Sequence, residues 1–381
     1  MQKFDITAII ILALFVKLLF YWNSWLKEIM KKNTDYYTQR NFENIAVINR
    51  ILENDLPAFC LDYFTAIDSM TSTLTRLNYA HDLRIFFDFL SRKRFNNKAV
   101  KMFTLEDLES ISSNDIEYFL VYLTHYTYDG KEHSCNERAK ARKLSSVRAM
   151  FKYFFNKGHI SVNNSAKVST PKLHDKPIIR LDGEEVFDII TTAESGDGLT
   201  SHQQAYHKIN RIRDTAIITL FLGTGIRISE LVGLNNDSIN FTDNSFIVTR
   251  KGGSKAILYF DENVAEALKR YYEYKGQTDL TDCGGGALFL STQKKRITVR
   301  AVENLVKKYA KIVSPLKKIS PHKLRSTYGT QLYKATGDIY IVADVLGHRD
   351  VNTTRKHYAA ITEDSRRSVV GKVKLKPEED N

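Results

Sequence analysis

The chain has 381 residues, of which 43% are hydrophobic and 26% are charged. That is enough for two or three domains with cores of their own, and the composition excludes intrinsically disordered, collagen-like and disulfide-framework proteins. The 56 Lys and Arg residues exceed the 44 Asp and Glu residues, so the formal charge is +12. This surplus favours a polyanionic partner, either nucleic acid or an anionic membrane. The three cysteines are far apart and odd in number, which indicates incidental thiols in a reducing compartment.

The N-terminal segment is strongly apolar. Residues 6–25 carry one charge, Lys17, and could span a bilayer. No small-residue cleavage site follows, which argues against a secretory signal peptide. Three interpretations stay open: a membrane anchor, a hydrophobic helix packed elsewhere, or sequence upstream of a true start at Met30. We favour the start at Met30, with residues 1–29 as a hydrophobic extension and residues 30–53 as a lead-in.

Residues 54–161 are predicted to form a helical domain, because apolar side chains recur at three- and four-residue steps. This spacing predicts three helices, each with an apolar stripe, around residues 74–90, 116–123 and 136–158. Their apolar positions are Leu77, Leu83, Phe86, Phe87 and Leu90, then Ile116, Phe119, Leu120 and Leu123, then Leu144, Val147, Phe151 and Phe154. Thr104 or Ser113 could cap the helices that precede the third stripe.

The predicted helix that carries the third stripe is basic on its opposite side. After Glu137 this segment contains no acidic residue up to Gly158. The cations that lie largely off the apolar stripe are Arg138, Arg142, Lys143, Arg148 and Lys152. A solvated helix surface is one interpretation, but the one-sided charge favours contacts with DNA phosphates.

Residues 162–178 are polar, contain two prolines and have no apolar period, so they are predicted to be a linker. From residue 179 to 364 the pattern is mixed α and β. Helices are expected over 182–192, 211–222, 263–272 and 299–312, and strands over 246–248 and 256–260. The strands are joined by RKGGSK as a hairpin. Residues 365–381 form a C-terminal tail whose apolar residues, Val369, Val370 and Val373, could dock on a neighbouring protomer or remain solvated.

The chain lacks a P-loop, a dinucleotide fingerprint, an HExxH motif and a nucleophile elbow, which argues against ATP-driven, redox and zinc-hydrolase chemistry.

Two motifs that are present could have a function. In GTGIRISEL, Glu230 lies three residues after Arg227 and could hold its guanidinium. In RKGGSK, Lys251 on a glycine turn could reach into a nucleic-acid groove. Alone, each could equally be a surface ion pair or a solvated turn.

Two further motifs follow. SPHKLRST places Ser320 and Pro321 at a helix start, with His322 and Arg325 on one face, an arrangement suited to phosphate. LGHRDVNTTRKHYA carries a histidine in a turn and a tyrosine about two helical turns later. A tyrosine hydroxyl has a pKa of about 10 and needs electropositive neighbours to act as a nucleophile. A capped helix and a packed tyrosine are the plain alternatives.

Taken together and in this order, the motifs resemble the tyrosine recombinase (phage integrase) family, over roughly residues 54–362. The likeness is greatest to Xer-type recombinases and integrases of Gram-positive mobile elements. The residues that match the family's catalytic set are Arg227, Lys251, His322, Arg325, His348 and Tyr358. Glu230 matches the acid that supports the first arginine. Lys255 is a rival for the lysine role and a candidate DNA contact, and His357 falls where some relatives place the tyrosine.

The resemblance implies a mechanism and a fold. Tyr358 would attack a DNA phosphate to give a 3′-phosphotyrosyl link, and Lys251 would protonate the leaving 5′-oxygen. A partner strand would reverse the step, with two rounds passing through a Holliday junction, and no metal or ATP cofactor is expected. The implied architecture is an all-α core-binding (SAM-like) domain and a mixed α+β catalytic domain with a small β-hairpin sheet, clamped around double-stranded DNA.

The implied assembly is a homotetramer on two specific recombination sites, or a complex with a related recombinase, with accessory proteins as further possible partners. A cytoplasmic, nucleoid-associated protein is expected, and a membrane partner only if residues 1–29 are translated. Type IB topoisomerase-like relaxation, a catalytically idle DNA-binding relative and a membrane-tethered DNA-binding protein are the rival functions. Strand exchange on paired sites separates recombination from the first two, and cell fractionation tests the third.

Overall fold

A computed structural model of the chain describes residues 35–173, 178–250, 253–348 and 350–351. The chain divides into two compact units, one ending at residue 176 and the other beginning at residue 177. No helix among the described residues is long and apolar enough to cross a membrane. Residues 1–29 and the tail at 365–381 lie outside the described residues.

The first unit is mostly helical. Its helices are α1 (Tyr36–Asn54), α2 (Cys60–Ala66), α3 (Thr73–Lys93), α4 (Leu105–Glu109), α5 (Ser113–Tyr122) and α6 (Glu137–Asn156), with 3₁₀ turns at Val100–Met102 and Asn164–Lys167. Strands β1 (Tyr126–Tyr128) and β2 (Lys131–His133) form an antiparallel hairpin between α5 and α6. Thr104 caps α4, as predicted, and Ser112 rather than Ser113 caps α5.

The predicted apolar stripes build the core of this unit. All four stripe residues of α6 are buried, and the α3 stripe is buried except for Leu77, which is partly buried. Phenylalanine rings from three helices meet edge to face: the centroid of Phe86 lies 5.0 Å from Phe119 and 6.4 Å from Phe151. Such aromatic contacts add to the burial of apolar area that stabilises the unit.

A buried carboxylate joins α3 to α6. Asp82 is fully buried on α3. It accepts hydrogen bonds from Nη2 of Arg142 at 2.7 Å, from Nζ of Lys143 at 3.0 Å and from Oγ of Ser146 at 2.8 Å. The i, i+1, i+4 spacing of these donors puts them on one side of α6, so a single carboxylate sets the register of the two helices.

The first unit differs from the sequence predictions in three places. The expected lead-in is helix α1, whose Ile48 and Ile51 are buried. The expected linker begins later, because Ser165 and Val168 are buried against this unit. The unit is also not wholly α-helical, since it contains the β1–β2 hairpin. That hairpin turns at Asp129–Gly130, both with positive φ, and Asp-Gly is a known hairpin signal that the helical periodicity had obscured.

The second unit combines helices with a three-stranded antiparallel sheet. Its helices are α7 (Gly183–Ser195), α8 (Ser201–Thr224), α9 (Ile228–Gly233), α10 (Glu262–Gln277), α11 (Val299–Val313), α12 (Pro321–Thr336) and α13 (Ile339–Leu346), with a 3₁₀ turn at Asn236–Ser238. Its strands are β3 (Ile239–Asn240), β4 (Ser245–Thr249) and β5 (Lys255–Tyr259), and they pair in the order β3-β4-β5.

Helix α8 is central to this unit, because α7, α10 and α12 all pack against it. Its second half, from Ala216 to Leu222, is buried. In the sheet, β4 and β5 pair in register from Ser245–Tyr259 to Thr249–Lys255, which confirms the predicted hairpin. The mixed α and β content agrees with the fold class expected for the catalytic domain.

The Asp82 cluster leads to a stability prediction. Asp82→Ala leaves the ammonium of Lys143 buried without its counter-charge, so we expect the free energy of unfolding to fall by about 3–5 kcal/mol. Asp62→Ala, which removes an exposed carboxylate from α2, should cost less than about 1 kcal/mol. Urea denaturation of the full-length chain measures both changes. Equal losses for the two variants would show that the buried cluster does not hold α3 to α6.

Candidate active site

The turn between α8 and α9 positions Arg227. Helix α8 ends at Gly225, which has a φ of +61°. A β-carbon there would lie 2.5 Å from the ring of Tyr328 and 2.9 Å from Leu346. Glycine is therefore required both by the left-handed backbone and by the close approach of α12 and α13. The chain then reverses, and Arg227 becomes the N-cap of α9.

Glu230 holds Arg227 at two points. Its Oε1 accepts from Nη1 of Arg227 at 2.7 Å, and its Oε2 accepts from the backbone N–H of the same arginine at 3.0 Å. The Glu230 side chain is only 3% exposed, whereas that of Arg227 is 34% exposed. A buried carboxylate thus orients a guanidinium that still reaches solvent, which is what an anion-binding arginine needs. The predicted i, i+3 pair between Arg227 and Glu230 is therefore present in the structure.

Helix α12 carries His322 and Arg325. Pro321 occupies the first turn as predicted, but Ser320, although it is the N-cap residue, makes no side-chain capping hydrogen bond. Arg325 is buried, and its guanidinium donates to the carbonyl oxygens of Gly225 and Leu346. His322, one turn earlier on the same helix, is exposed. Arg325 is thus a fixed, buried cation, and the imidazole one turn earlier on the same helix is accessible.

The carboxyl end of α13 is the point where these elements meet. Gly347, with a φ of +60°, ends the helix, and the N–H of His348 donates to the carbonyl of Ala343 at 2.9 Å. This six-to-one hydrogen bond closes a Schellman-type cap and fixes the start of the loop that carries His348. His348 itself is half-buried.

Three guanidiniums bind consecutive carbonyl oxygens at this helix end. Nη2 of Arg227 donates to Gly347 at 2.7 Å, Arg325 donates to Leu346, and Nη2 of Arg250 donates to Val345 at 3.4 Å. The free carbonyls of a helix carboxyl end carry partial negative charge, which favours cations there. The result is a cluster of positive charge beside His348.

Of the predicted catalytic residues, Arg227, Arg325 and His348 meet at the end of α13. His322 lies one turn before Arg325 on α12. Lys251 and Tyr358 lie outside the described residues, as does His357. Lys255 is exposed at the first position of β5. Within the described residues, no cluster of His, Cys, Asp and Glu could hold a metal ion.

Tyr328 lies near this site but is poorly suited to nucleophilic attack. Its ring packs where a β-carbon of Gly225 would lie. Burial raises the pKa of the Tyr328 phenol, with a further contribution from Asp261. A raised pKa disfavours the phenolate that would attack phosphorus. Tyr328 is therefore a packing residue and a useful control for the predicted nucleophile.

The basic side of α6 is less available than the sequence suggested. Lys143 is buried on Asp82, and Arg142 donates two hydrogen bonds to the same carboxylate. Arg148 donates to the carbonyls of Ser165 and Val168 and to Thr170. These three cations stabilise the first unit, and Lys143 in particular has no route to a DNA phosphate in this structure.

Arg138 and Lys152 remain exposed on α6. Helical periodicity identified the polar side of this helix but could not identify buried acceptors elsewhere in the chain. Arg250 was missed altogether, because it was interpreted as part of a solvated turn. The available signal was its position directly before the candidate lysine.

The amino-acid sequence is similar to those of known proteins. Residues 180–364 match the phage integrase family. The chain is 32% identical over 329 residues to tyrosine recombinase XerC of Caldanaerobacter subterraneus subsp. tengcongensis, covering 84% of this chain and 86% of the relative.

Solved structures show the same fold. A XerH site-specific recombinase bound to palindromic difH substrate superposes with a TM-score of 0.59 at 17% identity, covering 78% of this chain and 80% of that one. The Tn1549 transposon integrase in complex with circular intermediate DNA superposes with a TM-score of 0.57 at 20% identity, covering 82% and 98%. With the family match, the XerC relative and the arginine–histidine cluster in view, the chain belongs to the phage integrase, or tyrosine recombinase, family.

Proposed function

We propose that the protein is a site-specific recombinase that cuts and rejoins double-stranded DNA through a 3′-phosphotyrosyl intermediate. The observation that carries the proposal is the convergence of Arg227 and Arg325 on adjacent carbonyls beside His348. The XerH and Tn1549 proteins, which share the fold, are described in complex with DNA. No observation favours topoisomerase activity or an idle relative.

The arginines stabilise the charge that develops on the phosphate. Attack on a phosphodiester places additional negative charge on the non-bridging oxygens, and preorganised cations lower the energy of that state. Arg325 is held by two carbonyls and Arg227 by Glu230, so neither guanidinium must be ordered during the reaction. His322 and His348 supply further hydrogen bonds to the same phosphate.

The covalent steps use the two residues outside the described ranges. The Tyr358 hydroxyl releases its proton to water and its oxygen attacks phosphorus. The bond to the 5′-oxygen breaks, and Lys251 gives that 5′-oxygen a proton. The 5′-hydroxyl of a partner strand then attacks the phosphotyrosine and restores the phosphodiester. Bond energy is conserved in the covalent link. The first round of strand exchange forms a Holliday junction, and the second round resolves it.

Binding to DNA uses exposed cations on both units. On the first unit, Arg138 and Lys152 are accessible on α6, and Arg142 is also exposed although it is bound to Asp82. On the second unit, Lys255 is exposed beside the β4–β5 turn. Four protomers on two sites, within the nucleoid, would perform the exchange, with the C-terminal Val369, Val370 and Val373 docking on a neighbour. The reaction serves either replicon resolution or movement of a mobile element.

The nucleophile is tested by Tyr358→Phe. Because this variant loses only a hydroxyl, it should bind DNA normally but form no covalent adduct. The probe is a duplex carrying the site recovered by genomic pull-down with the full-length chain, and the readout is a denaturant-resistant protein–DNA band. Tyr328→Phe and Tyr333→Phe are the matched controls on α12. An adduct that persists in Tyr358→Phe and disappears in either control would overturn the assignment.

The general acid is tested by Lys251→Ala on two versions of that duplex. Cleavage of the ordinary phosphodiester should slow by about 10²-fold or more, as expected for loss of a positioned acid. A substrate with sulfur in place of the leaving 5′-oxygen should be cleaved at nearly the wild-type rate, because a thiolate leaves without a proton. Lys255→Ala is the control. Equal slowing of Lys251→Ala on both substrates would mean that Lys251 is not the general acid, and the Lys255→Ala result would then decide whether Lys255 takes that role.

The DNA-facing side of α6 is tested by salt dependence. Replacing Arg138 and Lys152 with alanine should reduce the slope of log affinity against log salt by about 0.9 for each lost phosphate contact. Lys167→Ala, which removes an exposed lysine from the Asn164–Lys167 turn, should leave the slope unchanged. Fluorescence anisotropy at several salt concentrations gives both slopes. An unaltered slope in the double variant means that this side of α6 does not contact DNA.

A further inference from the structure

Arg250 occupies an unusual position for a residue at the tip of a hairpin. It directly follows β4, and its backbone closes the turn: its N–H donates to the carbonyl of Ser254 at 2.8 Å, and its carbonyl accepts from Gly253 at 3.0 Å. A hairpin-tip arginine usually extends into solvent. Here Nε of Arg250 is buried, and none of the described residues accepts a hydrogen bond from it.

The guanidinium of Arg250 lies against the end of α13. A β-carbon on Gly347 would overlap Cζ and Nη1 of Arg250, so the planar group covers the backbone at that glycine. Its Nη2 also donates to the carbonyl of Val345 at 3.4 Å. The contact thus joins two segments that are 95 residues apart in the chain. One of them leads directly into the loop that carries His348.

Arg250 is covalently next to Lys251. Holding the Arg250 side chain against Val345 and Gly347 therefore anchors the last residue before the proposed general acid to the segment that bears His348. Because Nε is buried and finds no acceptor among the described residues, this placement is costly for a residue that could point into solvent, and stability alone does not account for it. A hairpin held in one position would reduce the conformational freedom that the lysine must lose in order to reach the leaving oxygen.

We propose that Arg250 is a positioning residue that sets the hairpin turn so that Lys251 can deliver its proton. The inference rests on the proposed function, and in particular on Lys251 as general acid. It makes no use of direct contact between Arg250 and DNA. Its specific consequence is that loss of the guanidinium should impair protonation of the leaving group rather than DNA binding.

The experiment compares Arg250→Met, which keeps an apolar stem of similar length, with Arg270→Met. Arg270 is a half-exposed arginine on α10 that pairs with Glu194. Single-turnover cleavage is measured at saturating protein on the phosphodiester duplex and on its 5′-bridging sulfur counterpart. We expect Arg250→Met to slow phosphodiester cleavage about 10- to 100-fold, to cleave the sulfur substrate within about threefold of wild type, and to leave the Kd for DNA nearly unchanged. Arg270→Met should match wild type in all three.

A double variant separates this inference from the proposed function. Adding Arg250→Met to Lys251→Ala should slow phosphodiester cleavage no further than Lys251→Ala alone, since both changes act on one proton transfer. Multiplicative slowing, equal slowing of Arg250→Met on both substrates, or wild-type cleavage by Arg250→Met would overturn the positioning role.

Failure of sulfur to rescue Lys251→Ala itself would instead count against the proposed general acid. If Arg250→Met does not fold, Arg250→Lys is used, because it keeps the charge and the stem but lacks the planar fork that reaches Val345. Rescue of Arg250→Lys by the sulfur substrate supports the inference. Loss of folding in both variants makes Arg250 a structural residue and overturns it.

Discussion

The carboxyl end of α13 is the constraint on which the site depends. Its last carbonyl oxygens have no helical partners, and guanidiniums from three separate elements bind them in succession. Each arginine is thereby fixed by a backbone group whose position does not vary with side-chain rotamer. The helix end also offsets the repulsion of clustered cations, because its partial negative charge lies among them. The site is thus preorganised for a phosphate by carbonyl oxygens at the end of α13, which carry partial negative charge and hold the arginines in place.

A similar arrangement occurs in the first unit, where the Asp82 carboxylate accepts hydrogen bonds from Arg142, Lys143 and Ser146. In both units neighbouring acceptors bind several donors. One carboxylate binds side chains of α6 in the first unit, and three successive carbonyl oxygens bind arginines from three elements in the second. The difference lies in exposure. Lys143 is buried, whereas the Arg227 side chain keeps a third of its surface accessible. Lys143, enclosed beside Asp82, stabilises the fold, whereas Arg227 reaches the surface and can bind a phosphate.

The features that were predicted from the sequence depend on residues close together in the chain, and contacts between distant residues were not predicted. The stripes of α3 and α6, the β4–β5 hairpin and the Arg227–Glu230 pair depend on spacings of a few residues, and periodicity captured them. Lys143 pairs with an aspartate 61 residues away, and periodicity along one helix contains no signal for such a partner. The 126–133 hairpin had a local signal in Asp129–Gly130 that was overlooked. Arg250 stands directly before the candidate lysine, but its partner Val345 is 95 residues away, and no local pattern identifies that partner.

The long-range contacts also explain why glycine occurs at positions 225 and 347. Both residues have positive φ at the end of a helix, which other residues adopt only with strain. Each is also covered by a neighbouring side chain, Tyr328 over one and Arg250 over the other. A turn alone would tolerate asparagine, whose side chain needs open space. Because a ring and a guanidinium occupy that space, the identity of these residues is set by the packing of the site around them.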